Sequence, residues 1–257
     1  MKALLLAGGT GSRLHPLTIG VNKHLLPVGN QPMIGHALTF LHDIGAHSVT
    51  IITTPEDLSG YGRLIGSNQP PYSDFDNIYI AVQSKPSGIA NAIQYGESYV
   101  GDDENVLVML ADNVYDKLDK PQITQAILNH TEGCHIWTTN TRTPQNVGIL
   151  VTQNGKPISC VEKPKEFVGD QAITGLYIFD NAVWSIIRLL EPSARGEYEV
   201  IDIINEYLNL GFLQHTSLIG PWMDLGGSLE QYLHYAALQN PEQQPSPSTP
   251  NWGYKGT

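Results

Sequence analysis

The stretch from Leu4 to Leu14 reads LLLAGGTGSRL. A short apolar run enters a glycine cluster that ends in a cation. Glycines at such a junction let backbone N–H groups approach a phosphate closely. Lys23 follows Arg13, and from Met1 to His42 there is no Asp or Glu at all. The chain as a whole carries a formal net charge of −11. A positive opening segment on an acidic body suits a small polyanionic ligand. The overall sign argues against a dedicated nucleic-acid binder.

The elements that must hold this loop are readable from hydrophobic pattern. Lys2–Leu6, Val49–Thr53, Ile78–Val82 and Val106–Leu110 read as strands. Helical patterns cover Met33–Ile44, a shorter stretch after Pro55, and Gly88–Tyr99. Strand–helix alternation with apolar, non-alternating strands predicts a parallel α/β sheet. Ligands then sit at the carboxyl ends of the strands, where the glycine loop and Asp112 both fall. Further strands are expected at Ile136–Thr139, Gly148–Val151, Ile158–Glu162 and Gly175–Phe179, with helices at Ala182–Leu190, Glu199–Leu210 and Ser228–Leu238.

Size and composition bound the rest. The chain has 257 residues with 41% hydrophobic content, enough for a sizeable core. No apolar run is long enough to span a membrane. Cys134 and Cys160 make no disulfide framework and read as reduced thiols of a cytoplasmic protein. The expected organisation is one domain over residues 1–239, with a nucleotide-binding half at 1–115 and a second half at 116–239. A proline-rich tail at 240–257 reads as disordered. His15, His24 and His36 fit no compact zinc motif, and a structural role is expected of them.

The glycine loop matches neither of two common phosphate loops. The G-x-G-x-x-G fingerprint set on Gly9 and Gly11 needs glycine where Leu14 stands, and no acidic residue occurs before Asp43. That excludes a nicotinamide-dependent oxidoreductase of the usual kind. The P-loop ending Gly-Lys-Ser/Thr is absent too.

The residues beyond the loop are more specific. The block GG-x-G-S-R-L-x-P-L-T, then K-x-L-L-P-V from Lys23, resembles the sugar-1-phosphate nucleotidyltransferases. The resemblance is strongest to the short glucose-1-phosphate thymidylyltransferases within that family, and it runs to about residue 238. Gln83-Ser-Lys-Pro-Ser-Gly88 is similar to the family's base-recognition loop. Leu110-Ala-Asp-Asn113, Gly148, Glu162-Lys-Pro164, Thr174-Gly-Leu-Tyr177, Arg195-Gly-Glu-Tyr-Glu199 and Trp222-Met-Asp-Leu-Gly226 continue in the family's order. Ala111, Val147, Leu225 and Gly227 depart from its usual residues.

The resemblance implies a Rossmann-like, mostly parallel mixed sheet flanked by helices, with a small sugar-binding subregion. It implies transfer of a nucleotidyl group from dTTP, or UTP, to a sugar 1-phosphate, with glucose 1-phosphate the expected sugar. An enzyme for an unusual phosphate acceptor, or a catalytically silent subunit, are the alternatives. The nucleotide would be bound by Leu6, Ala7, Gly8, Gly9, Gly11, Ser12, Arg13, Gln83, Pro86 and Gly88. Arg13, Lys23 and Asp112 would carry the catalysis. Asp112 and Asp224 would hold Mg²⁺, a hard cation that takes oxygen ligands. Asn113, Gly148, Glu162, Lys163, Thr174, Tyr177 and Arg195 would bind the sugar phosphate. A homo-oligomer is expected, with no membrane and no nucleic-acid partner.

Overall fold

The computed structural model describes residues 1–101, 104–115 and 120–239. The proline-rich tail expected to be disordered lies outside the described residues.

Among the described residues, thirteen strands and seven α-helices follow in the order β1 (Lys2–Leu6), β2 (Pro27–Val28), β3 (Gln31–Pro32), α1 (Met33–Asp43), β4 (Ser48–Thr53), α2 (Leu58–Gly66), β5 (Asn77–Val82), α3 (Ile89–Gln94), β6 (Val106–Leu110), β7 (Asn113–Tyr115), α4 (Lys120–Asn129), β8 (Cys134–Asn140), β9 (Gly148–Gln153), β10 (Lys156–Glu162), β11 (Gln171–Phe179), α5 (Ala182–Leu189), α6 (Val200–Leu210), β12 (Leu213–Ser217), β13 (Trp222–Asp224) and α7 (Leu229–Leu238). Among them, no helix is long and apolar enough to cross a membrane.

The apolar runs become the central strands because both of their faces are covered. On β1, Leu4 and Leu6 pack toward α3, α5 and α6, while Ala3 and Leu5 pack toward α1, α2 and α4. Each fully buried leucine contributes about 1.5–3 kcal/mol relative to exposure. The sheet runs β10-β9-β11-β6-β1-β4-β5, with β8 on the other edge of β11 and β12 beyond it. β5, β4, β1 and β6 are mutually parallel, and β11 joins antiparallel to β6, β8 and β9. This is the mixed α/β sheet flanked by helices expected from the sequence.

Register decides where the site forms. Leu6 lies opposite both Ile52 and Leu110, and Ile52 opposite Ala81. The carboxyl ends of four parallel strands therefore stop along one line. The residues that leave the sheet there include Gly8, Gln83 and Asp112.

β11 is forked. Gln171 and Ala172 pair with β9, whereas residues 176–179 pair with β6 on the same edge. The ladder to β8 is interrupted between Ile173 and Tyr177, and Gly175 sits there with φ +72°. A side chain at Gly175 would stand 2.9 Å from Leu110 Cδ1, so the bend needs glycine. A third, smaller core joins Leu14, Leu26, Val28, Val114 and Leu225 to Tyr232 and Tyr235 of α7. It docks the short β7–β13 pair and the β2–β3 hairpin against α7.

Several short elements differ from the sequence reading. β7, β12, β13 and the β2–β3 hairpin were not expected as strands, nor α4 as a helix. The helix expected over Gly88–Tyr99 is shorter. It ends at Gln94, and residues 97–99 form a separate 3₁₀ turn.

Candidate active site

The strand ends and the fork enclose a cavity of about 400 Å³. The loop after β1 supplies Gly8, Gly9, Thr10 and Arg13. The segment after β5 supplies Gln83, Pro86 and Gly88. Lys23, Asp112, Asn113 and Asp224 lie between these and a second end, built from Val147, Gly148, Glu162, Lys163, Tyr177, Arg195, Glu197 and Glu199. Leu6 also lines the space.

Four expected residues do not line it: Ala7, Gly11, Ser12 and Thr174. Ala7 presents its carbonyl to Asn22 Nδ2 at 3.2 Å. Gly11 adopts φ +63°, its carbonyl accepts from Thr18 Oγ1 at 2.8 Å, and a Cβ there would stand 3.3 Å from Lys23 Cβ. Thr174 is fully buried, donates to the Trp137 carbonyl at 2.9 Å, and its own carbonyl accepts from Tyr115 Oη at 2.5 Å. All three work behind the cavity wall. Ser12 is exposed at the start of a 3₁₀ turn.

Lys23 is placed by the residue before it. Asn22 Nδ2 donates to Ala7 O and, at 2.6 Å, to Asp57 Oδ2, while its Oδ1 accepts from the His24 N–H at 2.9 Å. Tyr61 Oη stands 3.1 Å from both Ala7 O and Asn22 Oδ1. The lysine loop is thereby tied to the end of β1 and to α2. Sequence reasoning singled out neither Asn22 nor Tyr61, because a lone polar residue in a loop or helix carries no periodic signal.

At the centre, Lys23 Nζ pairs with Asp112 Oδ2. Asn113 Nδ2 donates to Asp112 Oδ1 at 3.0 Å, and Trp222 Nε1 donates to Asn113 Oδ1 at 2.6 Å. The β7–β13 ladder sets Asn113 opposite Asp224, and the Leu225 N–H donates to the Asp112 carbonyl at 2.9 Å. Thus a three-residue pairing brings together two aspartates far apart in sequence. Gly226 closes the centre. A Cβ there would lie 2.2 Å from Asp112 Oδ2 and 2.7 Å from Lys23 Nζ.

The charges respond to this crowding. Burial pushes the Asp112 carboxyl up, but the Lys23 charge, the neighbouring His24 and the hydrogen bonds to the carboxylate together outweigh it and hold the group below the usual carboxylate range. Burial, and then repulsion from Asp112, push Asp224 above that range. His24 is buried, and burial followed by the Lys23 charge lowers its pKa to about 3, so its ring is neutral. His24 lines the cavity while its Nδ1 lies 2.8 Å from Asn22 Oδ1, a satisfied role inside the site wall.

This donor set suits a hard divalent cation. Mg²⁺ takes one or two carboxylates and completes its shell with water and phosphate oxygens. One buried and one half-buried carboxylate that repel each other match that pattern. No cluster of three or more His, Cys, Asp or Glu able to hold a metal exists among the described residues. Phosphate oxygens would therefore have to supply part of the shell.

The second end is organised differently. Arg195 Nη2 approaches Glu199 at 2.8 Å and Glu162 and Glu197 at 3.4 Å. Lys163 Nζ pairs with Glu162 at 2.7 Å. Lys163 takes φ +44°, a left-handed conformation that costs a non-glycine residue about 1–2 kcal/mol. Its N–H donates to the Val147 carbonyl at 3.1 Å. Gly148 faces Glu162 in the β9–β10 ladder, and a Cβ there would stand 2.8 Å from Ile201 Cδ1. Glu197 and Glu199, the two acids of the Arg195–Glu199 motif, both line the cavity. Thr10, Asn146 and Trp222 also reach it, although only Trp222 holds a fixed place in a motif.

The two ends meet behind Gly88. That glycine has φ +108°, and a Cβ would fall 2.4 Å from the Tyr198 carbonyl oxygen. The Tyr198 N–H donates to Ser87 O at 2.8 Å, and the Ala90 N–H donates to Tyr198 O at 3.0 Å.

Known proteins share this arrangement. Residues 2–240 match the family described as nucleotidyl transferase. The chain is 38% identical over 242 residues to the glucose-1-phosphate thymidylyltransferase of Neisseria meningitidis, covering 92% of this chain and 81% of that one. It is 38% identical over 232 residues to the enzyme of the same name from Mycolicibacterium smegmatis, covering 88% and 78%. Its structure superposes on a putative glucose-1-phosphate thymidylyltransferase from Bacillus anthracis in complex with a sucrose, with TM-score 0.83, 38% identity, and 93% and 95% of the two chains covered. A UDP-glucose pyrophosphorylase complexed with UDP-glucose shares the fold at TM-score 0.83 and 18% identity, over 94% of this chain and 99% of that one. With the motifs, the sheet and these relatives in agreement, the chain belongs to the nucleotidyl transferase family and is a nucleotidyltransferase.

Proposed function

We propose that this chain transfers a thymidylyl group from dTTP to glucose 1-phosphate, in the presence of Mg²⁺, giving dTDP-glucose and pyrophosphate. The observation that carries the reading is the order of groups along one cavity. A glycine loop with Arg13 lies at one end, Lys23 with Asp112 and Asp224 in the middle, and Glu162, Lys163 and Arg195 at the other.

A sugar phosphate is already an anion, so no general base is needed. Two mutually repelling anions must be aligned and the charge growing at the α-phosphorus stabilised. Gly8 and Gly9 leave backbone N–H groups open to the triphosphate. Arg13 is exposed and makes no ion pair among the described residues, which leaves its planar fork for the β- and γ-phosphates that depart as pyrophosphate. Lys23 is placed to take up charge at the α-phosphate. Asp112 and Asp224 would hold the Mg²⁺, which when bound neutralises phosphate charge as a Lewis acid. Glu162 accepts from sugar hydroxyls, and Lys163 and Arg195 meet the sugar phosphate. Gln83 offers a donor and an acceptor to a pyrimidine edge.

Pyrophosphate release across a panel of nucleoside triphosphates and sugar 1-phosphates, with and without Mg²⁺, tests this. Release should require a triphosphate, a sugar phosphate and Mg²⁺ together, and be fastest with dTTP and glucose 1-phosphate. Faster turnover with UTP would reassign the nucleotide, since thymine and uracil present the same edge to Gln83. No release with any pair would overturn the reading.

A further inference from the structure

Gln83 is 2% exposed, at the carboxyl end of β5. Its Nε2 donates to Asn91 Oδ1 across 2.8 Å. Its Oε1 faces the glycine loop, 3.5 Å from where a Cβ on Gly8 would stand. Gln83 reaches the cavity, whereas Asn91, on α3, stands outside its lining. The two residues are stacked in sequence from ligand space outward.

An amide side chain has two opposite senses. With one Nε2 hydrogen turned to Asn91, Oε1 can accept the N3–H of thymine or uracil, and the second Nε2 hydrogen can donate to a ring carbonyl. Rotated by half a turn, the same side chain would donate to N3 of cytosine and accept from its exocyclic amine. Gln83 by itself does not choose between these senses. The hydrogen bond behind it does.

We propose that Asn91 is a positioning residue that tunes base specificity: by accepting from Gln83 Nε2, it biases the amide toward the sense that admits thymine and uracil and against the one that admits cytosine. The proposal rests on the pyrimidine triphosphate reading under Proposed function. Asn91 is itself an amide and can turn together with Gln83, so its discrimination is finite and adjustable in both directions. An aspartate at this position offers acceptors only and permits a single sense. It is also compatible with the local fold, because Asn91 lies in the first turn of α3, where an acidic side chain is favoured.

The test is kcat/KM for dTTP, UTP and CTP with glucose 1-phosphate and Mg²⁺, in the wild type, Asn91→Ala and Asn91→Asp. Where CTP turnover is below detection, its inhibition constant against dTTP replaces it. Melting temperatures report on folding. Loss of one neutral hydrogen bond corresponds to about a tenfold change. Asn91→Ala should raise the CTP:UTP ratio by about that factor. Asn91→Asp should keep dTTP use and lower the ratio below wild type. If Asn91→Ala folds poorly, Asn91→Asp still decides. Equal ratios in all three proteins, or a CTP:UTP ratio in Asn91→Asp at or above that of the wild type, would overturn the role of Asn91 while leaving the pyrimidine reading intact. A wild type that prefers purine triphosphates would overturn both.

Discussion

The centre and the far end of the cavity hold their charges in opposite ways. At the centre, beside the glycine loop, the side chains of Lys23 and Asp112 are 16% and 11% exposed. At the far end, Arg195 is 42% exposed and shares itself among Glu162, Glu197 and Glu199. Breaking a buried pair strands a charge and costs about 3–5 kcal/mol. An exposed pair contributes about 0–1 kcal/mol and is screened by salt. The first arrangement fixes one geometry for the chemistry. The second sets a half-exposed Arg195 against a largely buried Glu199, and under the proposed function an incoming phosphate would compete for that cation.

The hardest blow to this contrast is Asp112→Asn. It should lower pyrophosphate release by about 1,000-fold or more, and it should lower the melting temperature because Lys23 loses its buried partner. A loss under about tenfold would show that the central pair is not part of the chemistry. Gly226→Ala should cost about 100-fold in turnover, since its methyl group would displace Asp112 and Lys23 while the backbone stays acceptable to alanine. Unchanged turnover would mean that the centre yields easily. Arg195→Ala should raise KM for the sugar phosphate by about tenfold with little change in melting temperature. A large stability loss there would erase the distinction between the ends.

The smallest effect is a pH dependence. The folded pKa of His24 is depressed to about 3, whereas an unfolded histidine protonates near about 6.5. Between those values the unfolded chain binds a proton that the folded chain does not, so stability falls as pH falls through that window. His24→Asn should show a shallower drop in melting temperature from about pH 7 to about pH 5 than the wild type. Parallel curves would place the acid sensitivity elsewhere.

The same contrast separates what the sequence discloses from what it hides. β1 and β6 are legible because burial on both faces writes an unbroken apolar run, and Asp112 is legible as the residue that ends one. Arg13, Lys23 and Glu162 stand out through the motifs around them. β7 and β13 are three residues each, too short for any period to register, yet they set Asp112 beside Asp224. β12 reads Leu-Gln-His-Thr-Ser and becomes a strand only because β8 offers it an edge. Asn22, through several hydrogen bonds, and Asn91, through one, meet neighbours that folding brings close. A sequence names such residues but not their partners.

β11 has one more consequence. Its single backbone carries the β9 branch at one end and β6 at the other, so under the proposed function it would work as a ruler between the two substrates. One residue of strand measures about 3.3 Å, and reacting atoms must lie within about 3–3.5 Å. A one-residue insertion between Ala172 and Leu176 would therefore shift one substrate by a full reaction distance relative to the other. On that reading, the spacing between the two phosphates would be counted in peptide bonds along one strand.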